Sequence, residues 1–515
     1  MLRLALVLFF VWVGFAASVV SARAADERAA LLVRQGLAAQ GGESKLRALK
    51  SVQYQAKGVR HLLEESERPD GPYIEEFLQV EETDDLAGGR YRTATHSSIY
   101  PSDEFLTATL VDRGAAMRTA GGRDAPGSLT TVKVAAERVA LSPPRLLLTA
   151  LDAADLHLDA DVRLHDIAHH VVSFSLDGAP VRVYLNPYSH LPAAVDYSGP
   201  AAHTDFWAYL GDVTQRTVFS FWWLAKDGLH LPMQWDVESN GLPDRMLVIR
   251  KLQLDESLPE DALTIPPEMR RRFEQSPALD RPGSLHLNTA AAATREIVPG
   301  VSLYSGSWNI TLVRQDDGIV IFEAPISSAF SAEVIAEAHR KYPGLPIKAV
   351  VTTSDAWPHI AGIRQYAAAG IAIYALDLNK PILQRLIQAS YKTKPDQLAA
   401  KPRAPQFHWI HDVDLIGAGT NRLAIYAIHG ATSERQMMIF LPAQHLLYGS
   451  DAFQRDSDGG YSSPQSADEI IDAARREHLD VSTLVMMHFG PVPWNEVQAA
   501  VDAAGKLQTP DGKIG

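Results

Sequence analysis

Apolar residues change their spacing several times along the chain, and each change predicts a different kind of element. Between residues 26 and 50 they fall at helical intervals (Ala30, Leu31, Leu32, Leu37, Ala38, then Leu46 and Leu49), with Gly41-Gly42 placed to end one helix before another turn begins. From Val52 to about Leu254 the pattern becomes short alternating runs separated by turns. Val171–Leu176 and Val181–Leu185 flank Asp177-Gly178, the sequence of a two-residue β-hairpin. Thr217–Leu224, Met233–Val237 and Met246–Leu252 predict further strands, so this half reads as a large antiparallel sheet. Residues 266–295 keep no period: Pro266-Pro267, Arg270–Arg272, Pro277, Pro282-Gly283 and Ala290–Ala293 read as a linker. From Ile297 strands alternate with helices: Ile310–Val313, Gly318–Phe322, a helix over Ser331–Lys341, Ala349–Thr353, a helix over Ile360–Ala369 and Ile371–Ala375. The fold class predicted is α+β, an antiparallel sheet domain with a helix followed by an α/β domain.

Composition adds a compartment and removes several chemistries. Arg3, the apolar run Leu4–Val20 and the small-x-small triplet Ala22-Arg23-Ala24 have the layout of a secretory signal, which predicts a periplasmic or secreted bacterial protein. The alternative is an uncleaved anchor, since Leu4–Val20 approaches the length that spans a bilayer; no later run is apolar enough to span, so no integral membrane domain is expected after cleavage. The expected organisation is 1–24 signal, 25–265 β-rich domain, 266–295 linker, 296–505 second domain and 506–515 tail. The chain of 515 residues carries a formal charge of −13, and loss of Arg3 and Arg23 makes it more negative, which gives no footprint for nucleic acid. With no cysteine, disulfides, thiolate zinc sites and a cysteine nucleophile are all excluded.

The chemistry concentrates after residue 350. Val350-Val351-Thr352-Thr353-Ser354-Asp355-Ala356-Trp357-Pro358-His359 runs a strand into a polar loop, and Ala361-Gly362 then lets backbone pass close to a bound ion. Three further segments follow in order: Ala427-Ile428-His429-Gly430-Ala431-Thr432 before the strand Met437–Leu441, Leu446–Tyr448 with Gly449-Ser450-Asp451, and Val485-Met486-Met487-His488-Phe489-Gly490. Together, over residues 297 to about 505, these resemble the metallo-β-lactamase superfamily. That resemblance implies an αββα sandwich with a metal site where strands end. It places His359, His429, Asp451 and His488 at metal-ligand positions, and Ser354, Ala356 and Pro358 where two histidines and an aspartate would sit. Glu323 stands where an aspartate is usual.

The resemblance therefore implies a reduced centre. Two imidazoles and a carboxylate (His359, His488, Asp451) are a competent set for one zinc or another divalent metal, one ion at most, with Asp355 one position off register. Such an ion would activate water against an ester, amide or thioester, with Asp355 or Asp451 as the catalytic carboxylate taking a proton. The partner expected is a small-molecule or acyl-type substrate; the oligomeric state is left open. The competing reading is a non-catalytic periplasmic binding or carrier protein that has lost the dinuclear centre. It draws on the N-terminal half, which is similar to the periplasmic lipoprotein-carrier fold, a curved sheet that can hold an acyl chain. Phe206, Trp207, Tyr209, Phe219, Phe221, Trp222 and Trp223 either line such a cavity or fill the sheet's own core, and consecutive aromatics on one strand favour the core. His408 and His411 read as strand-edge histidines rather than a metal pair, and the Asn309-Ile310-Thr311 sequon as chance.

Overall fold

The computed structural model describes residues 27–63, 71–99, 104–199, 210–225, 228–258, 260–275, 286–306, 308–455 and 460–506. The predicted signal, nearly all of the predicted tail, and Phe206, Trp207 and Tyr209 lie outside them. The protein is α+β and divides into two compact units. Residues up to His61, Ile74–Thr204 and Val213–Asp280 make the first; Leu62–Tyr73, Asp205–Asp212 and the chain from Arg281 make the second. Among the described residues no helix is long and apolar enough to cross a membrane.

The first unit is built on one antiparallel sheet of 14 strands. At its middle, Ser51–His61 pairs on one side with Glu75–Asp85 and on the other with Leu242–Leu254, putting Val52 opposite Leu254. The predicted hairpin is present: Ile167–Leu176 and Ala179–Leu185 join through Asp177 (φ 51°) and Gly178 (φ 81°), the left-handed pair that matches the twist of its strands. Helices cover residues 27–39 and Glu43–Ala48, broken at Gly41-Gly42 as expected.

Two helices depart from the sequence reading. Leu129–Leu141 falls within the span, Val52 to about Leu254, read as antiparallel sheet. It is helical because Ser128 and Thr131 cap it reciprocally: the Thr131 amide donates to Ser128 Oγ at 3.1 Å and the Ser128 amide to Thr131 Oγ1 at 3.2 Å. Pro267–Gln275, assigned to the linker, is a helix whose Met269 and Phe273 join Leu110, Leu263 and Ile265 in a core cluster. The aromatic run also departs from the core reading. Phe219 is buried, but Phe221, held at φ 58° where strand alternation is interrupted, and Trp223 are exposed.

The second unit has two sheets. One has seven strands, of which Gly318–Phe322, Ile347–Thr352, Ala372–Leu376 and Gln406–Ile410 run parallel; the other has six. One cluster joins their faces: Val320, Phe322 and Val351 from the first sheet pack with Ile425, Ile439 and Tyr448 from the second. The second sheet's other face, through Met438, Phe440 and Leu484, packs on Ala467, Ile470 and Val497 from helices Pro464–Arg476 and Trp494–Lys506. On the first sheet, helix Ile363–Ala369 contacts strand Ala372–Leu376, and Ser328–Lys341 contacts Ile347–Thr352. The order is helix, sheet, sheet, helix, the sandwich that the resemblance implies for this half. It is built from alternation of fully buried strands with amphipathic helices.

Gly362 has a different purpose from the expected ion approach. A Cβ there would lie 2.0 Å from Ser331 Oγ and 2.7 Å from Ser327 O, so the glycine lets Ile363–Ala369 start against Ser328–Lys341. Gly362→Ala should cost about 1–3 kcal/mol in urea unfolding. Ser331→Gly should recover only part of that loss, because the Ser327 carbonyl remains.

Candidate functional site

The parallel strands of the first sheet and strand Leu446–Tyr448 of the second deliver the singled-out residues from their carboxyl ends, where open α/β sheets place their ligands. Glu323 follows Phe322, Thr353 follows Thr352, and Ser450-Asp451 follow Tyr448 after Gly449. Glu323 (φ 72°) and Ser450 (φ 63°) are both left-handed, a backbone state that non-glycine residues hold only when their surroundings impose it.

Between these strand ends lies His359. Its ring is fully buried, with Nδ1 2.8 Å from Glu323 Oε2 and Nε2 2.9 Å from Asp451 Oδ2. Burial alone would pull the imidazole down; the Asp451 and Glu323 charges outweigh it and hold His359 well above the usual histidine range. Asp451 shows the reciprocal effect: burial pushes it up, but the His359 and His488 charges keep it below the ordinary carboxylate value. Glu323 is further fixed by the Thr353 amide at 3.2 Å and the Thr353 hydroxyl at 2.5 Å, and Thr353 Oγ1 lies 2.8 Å from Ser450 Oγ. The Tyr448 hydroxyl is raised by burial and by the Glu323 charge. The result is a buried ring held between two carboxylates, one of them fixed by Thr353 donors.

The remaining candidates are distributed around this clamp. His488 acts on the Asp451 charge and sits beside Trp308, ring centroids 6.4 Å apart. Asp355 is buried, and its Oδ2 faces Arg435 Nε at 4.0 Å with neither atom hydrogen-bonded. His429 goes elsewhere. Its ring is 49% exposed and its Nε2 contacts Asp412 Oδ1 at 3.1 Å, while His411 Nδ1 contacts Asp377 at 2.8 Å. The context of His429 has its own structural reason, since the Glu469 carboxylate accepts the Thr432 and Ser433 amides at 2.9 and 3.0 Å.

The residues that replace the expected ligands rebuild the loop. Ser354 Oγ accepts the Ala356 amide at 3.2 Å, and Trp357-Pro358 open the short helix Trp357–Ile360 that swings His359 inward. Asn309 of the sequon is buried and donates to the Met486 carbonyl at 3.2 Å.

The donor set does not fit a metal. A ligating histidine gives a ring lone pair from its neutral form. Here both ring nitrogens of His359 face carboxylates, whose charges favour the protonated ring over one with a free lone pair. Among the described residues no group of three or more histidine, cysteine, aspartate or glutamate side chains is arranged to hold an ion.

No family model and no curated protein sequence matches the chain. Solved structures it is similar to include a metallo-β-lactamase from Erythrobacter litoralis with β-mercaptoethanol in the active site (16% identity, TM-score 0.32, covering 42% of this chain and 96% of that one). Another is the DIM-1 metallo-β-lactamase (13%, 0.32, 41% and 97%). A third is the stereoselective inverting sec-alkylsulfatase Pisa1 from Pseudomonas sp. (15%, 0.31, 41% and 40%). Likenesses this faint carry no functional weight, which rests instead on the chain's own geometry.

Glu323 is the site residue that sequence reasoning left without a role; its position as a departure from the usual aspartate was the available signal. The Asp355 carboxyl gives a pH test. Burial pushes it up to about 7, against an ordinary value of 3.8, with Arg435 offsetting only part. The folded state therefore holds an extra proton between about pH 4 and 7, and stability falls as pH rises through that window. From pH 5 to 8, wild type should lose roughly 2–3 kcal/mol relative to Asp355→Asn in urea melts. Parallel pH profiles for the two proteins would remove Asp355 as the cause.

Proposed function

We propose that the chain is an extracytoplasmic binding protein, not a metal-dependent hydrolase, and that an internal imidazolium–carboxylate clamp takes the place the sequence resemblance assigns to an ion. The observation that carries this reading is the double engagement of His359, with carboxylates 2.8 and 2.9 Å from its two nitrogens. A protonated ring would put one positive charge between the same acidic strand ends that a cation would otherwise hold together. Diversion of His429 to Asp412 and the rebuilt loop at Ser354–Pro358 support it. The second reading, a hydrolase with one ion on His359, Asp451 and His488, is favoured by one observation: His488 is near enough to act on Asp451.

The two readings separate on one set of proteins: the chain purified without chelator, His359→Gln, His359→Ala and His488→Ala. We expect substoichiometric metal in the parent, even after reconstitution with zinc, and no chelator-sensitive hydrolysis of esters or thioesters. His359→Gln, which leaves two buried carboxylates without their cation, should lose about 3–5 kcal/mol of stability. About one ion per chain in the parent, lost in both alanine variants, would overturn the proposal in favour of the hydrolase.

A further inference from the structure

The first unit contains a cavity of about 360 Å³ between its sheet and helix Leu129–Leu141, bounded by Tyr91 and Val111 on the sheet and by Val132 and Val139 on the helix. Its volume lies in the range of small-molecule sites, and most of its wall is apolar. One side chain is out of keeping with that wall. Asp84 lines the cavity, and it also lines a smaller space of about 20 Å³ beside Tyr54 and Trp235. It is 3% exposed, and its Oδ1 has no hydrogen bond.

Its acidic neighbours are all provided for. Asp85 accepts the Arg90 guanidinium at 2.6 Å and the Gly88 amide at 2.8 Å. Glu82 accepts the Tyr91 hydroxyl at 2.8 Å, and the charges of Arg138 and Arg245 act on it. Arg145 also lines the cavity; the nearby Asp152 is held by Arg47 at 2.6 and 2.9 Å, and the Arg145 charge acts on it only weakly. What surrounds Asp84 is burial and the Glu82 charge, both of which raise its carboxyl above the ordinary value. A buried acceptor without a donor costs roughly 1–3 kcal/mol, and an apolar residue at this inward-facing strand position would avoid that cost.

We propose that this cavity is a binding site for an amphipathic primary amine, its chain against Val111, Val132 and Val139 and its ammonium on Asp84. The ligand supplies the donor that Asp84 lacks, and its apolar body fills the space beneath the helix. The proposal rests on the binding-protein reading for its purpose, though not for its chemistry, because every residue it uses belongs to the first unit.

The test is calorimetric titration of the full chain with octylamine, octanol and octanoate, for wild type, Asp84→Asn and Ala136→Phe. Ala136 lines the cavity from an exposed position on the helix, so the phenylalanine fills it without burying anything polar. Thermal melts confirm that each variant folds. Saturable octylamine binding is expected, tighter than octanol and far tighter than octanoate. Asp84→Asn should weaken octylamine at least about tenfold while leaving octanol nearly unchanged, and Ala136→Phe should abolish both. Equal affinity for amine and carboxylate, an unaffected Asp84→Asn variant, or no saturable binding would each overturn it. None of these outcomes bears on metal content, so failure here leaves the metal-free reading standing, and zinc in the second unit would leave this site untouched.

Discussion

A histidine buried between two carboxylates is the constraint around which the second unit is arranged. Glu323 follows a strand of the seven-stranded sheet, His359 lies in the short helix after another, and Asp451 follows a strand of the six-stranded one, so the clamp joins the two sheets at one edge. Burying three ionised groups is costly, and the attraction between them roughly offsets that cost once further donors are present. Thr353 supplies two of those donors. The net gain in stability is therefore small, while the penalty for losing any one member is large. The array fixes geometry more than it adds free energy, and the left-handed backbone at Glu323 and Ser450 is the local cost of that geometry.

Most of the fold was legible because its elements are long and regular. Period-two runs and an Asp-Gly turn are local signals, and local signals identified the first unit's hairpin and the later strands of its sheet. The errors came where a short-range cue outweighed a longer one. Leu129–Leu141 lies inside a span read as sheet, yet the cap formed by Ser128 and Thr131 together with an apolar face turned toward the sheet makes it a helix. Pro267 reads as a break, although proline is well suited to a helix's first turn, and Met269 and Phe273 four residues apart were the amphipathic pair that revealed it.

The site was legible in its positions and illegible in its pairings. His359, Asp451 and His488 do converge, as strand-end residues of such a sandwich can. Pairing depends on side-chain direction over distances the sequence does not encode. His429 turns toward Asp412, which lies seventeen positions earlier in the chain, because that loop is held by Glu469. Glu323 differs from the usual aspartate by one methylene, and from its left-handed backbone it contacts Nδ1 of the ring. Gly362, taken for ion access, answers a helix–helix contact with Ser331.

The pairing of Val52 with Leu254 has a consequence for how the first unit comes into being. Strand Ser51–His61 lies in the middle of its sheet, so it stays open along one edge until the chain has been made past residue 254. Contacts this remote in sequence form late and slowly. During synthesis the early strands are an unfinished surface, complete on the Glu75–Asp85 side and exposed on the other. A chain that cannot close its first unit until about half of it exists leaves that edge open to pairing with the wrong strand for that time.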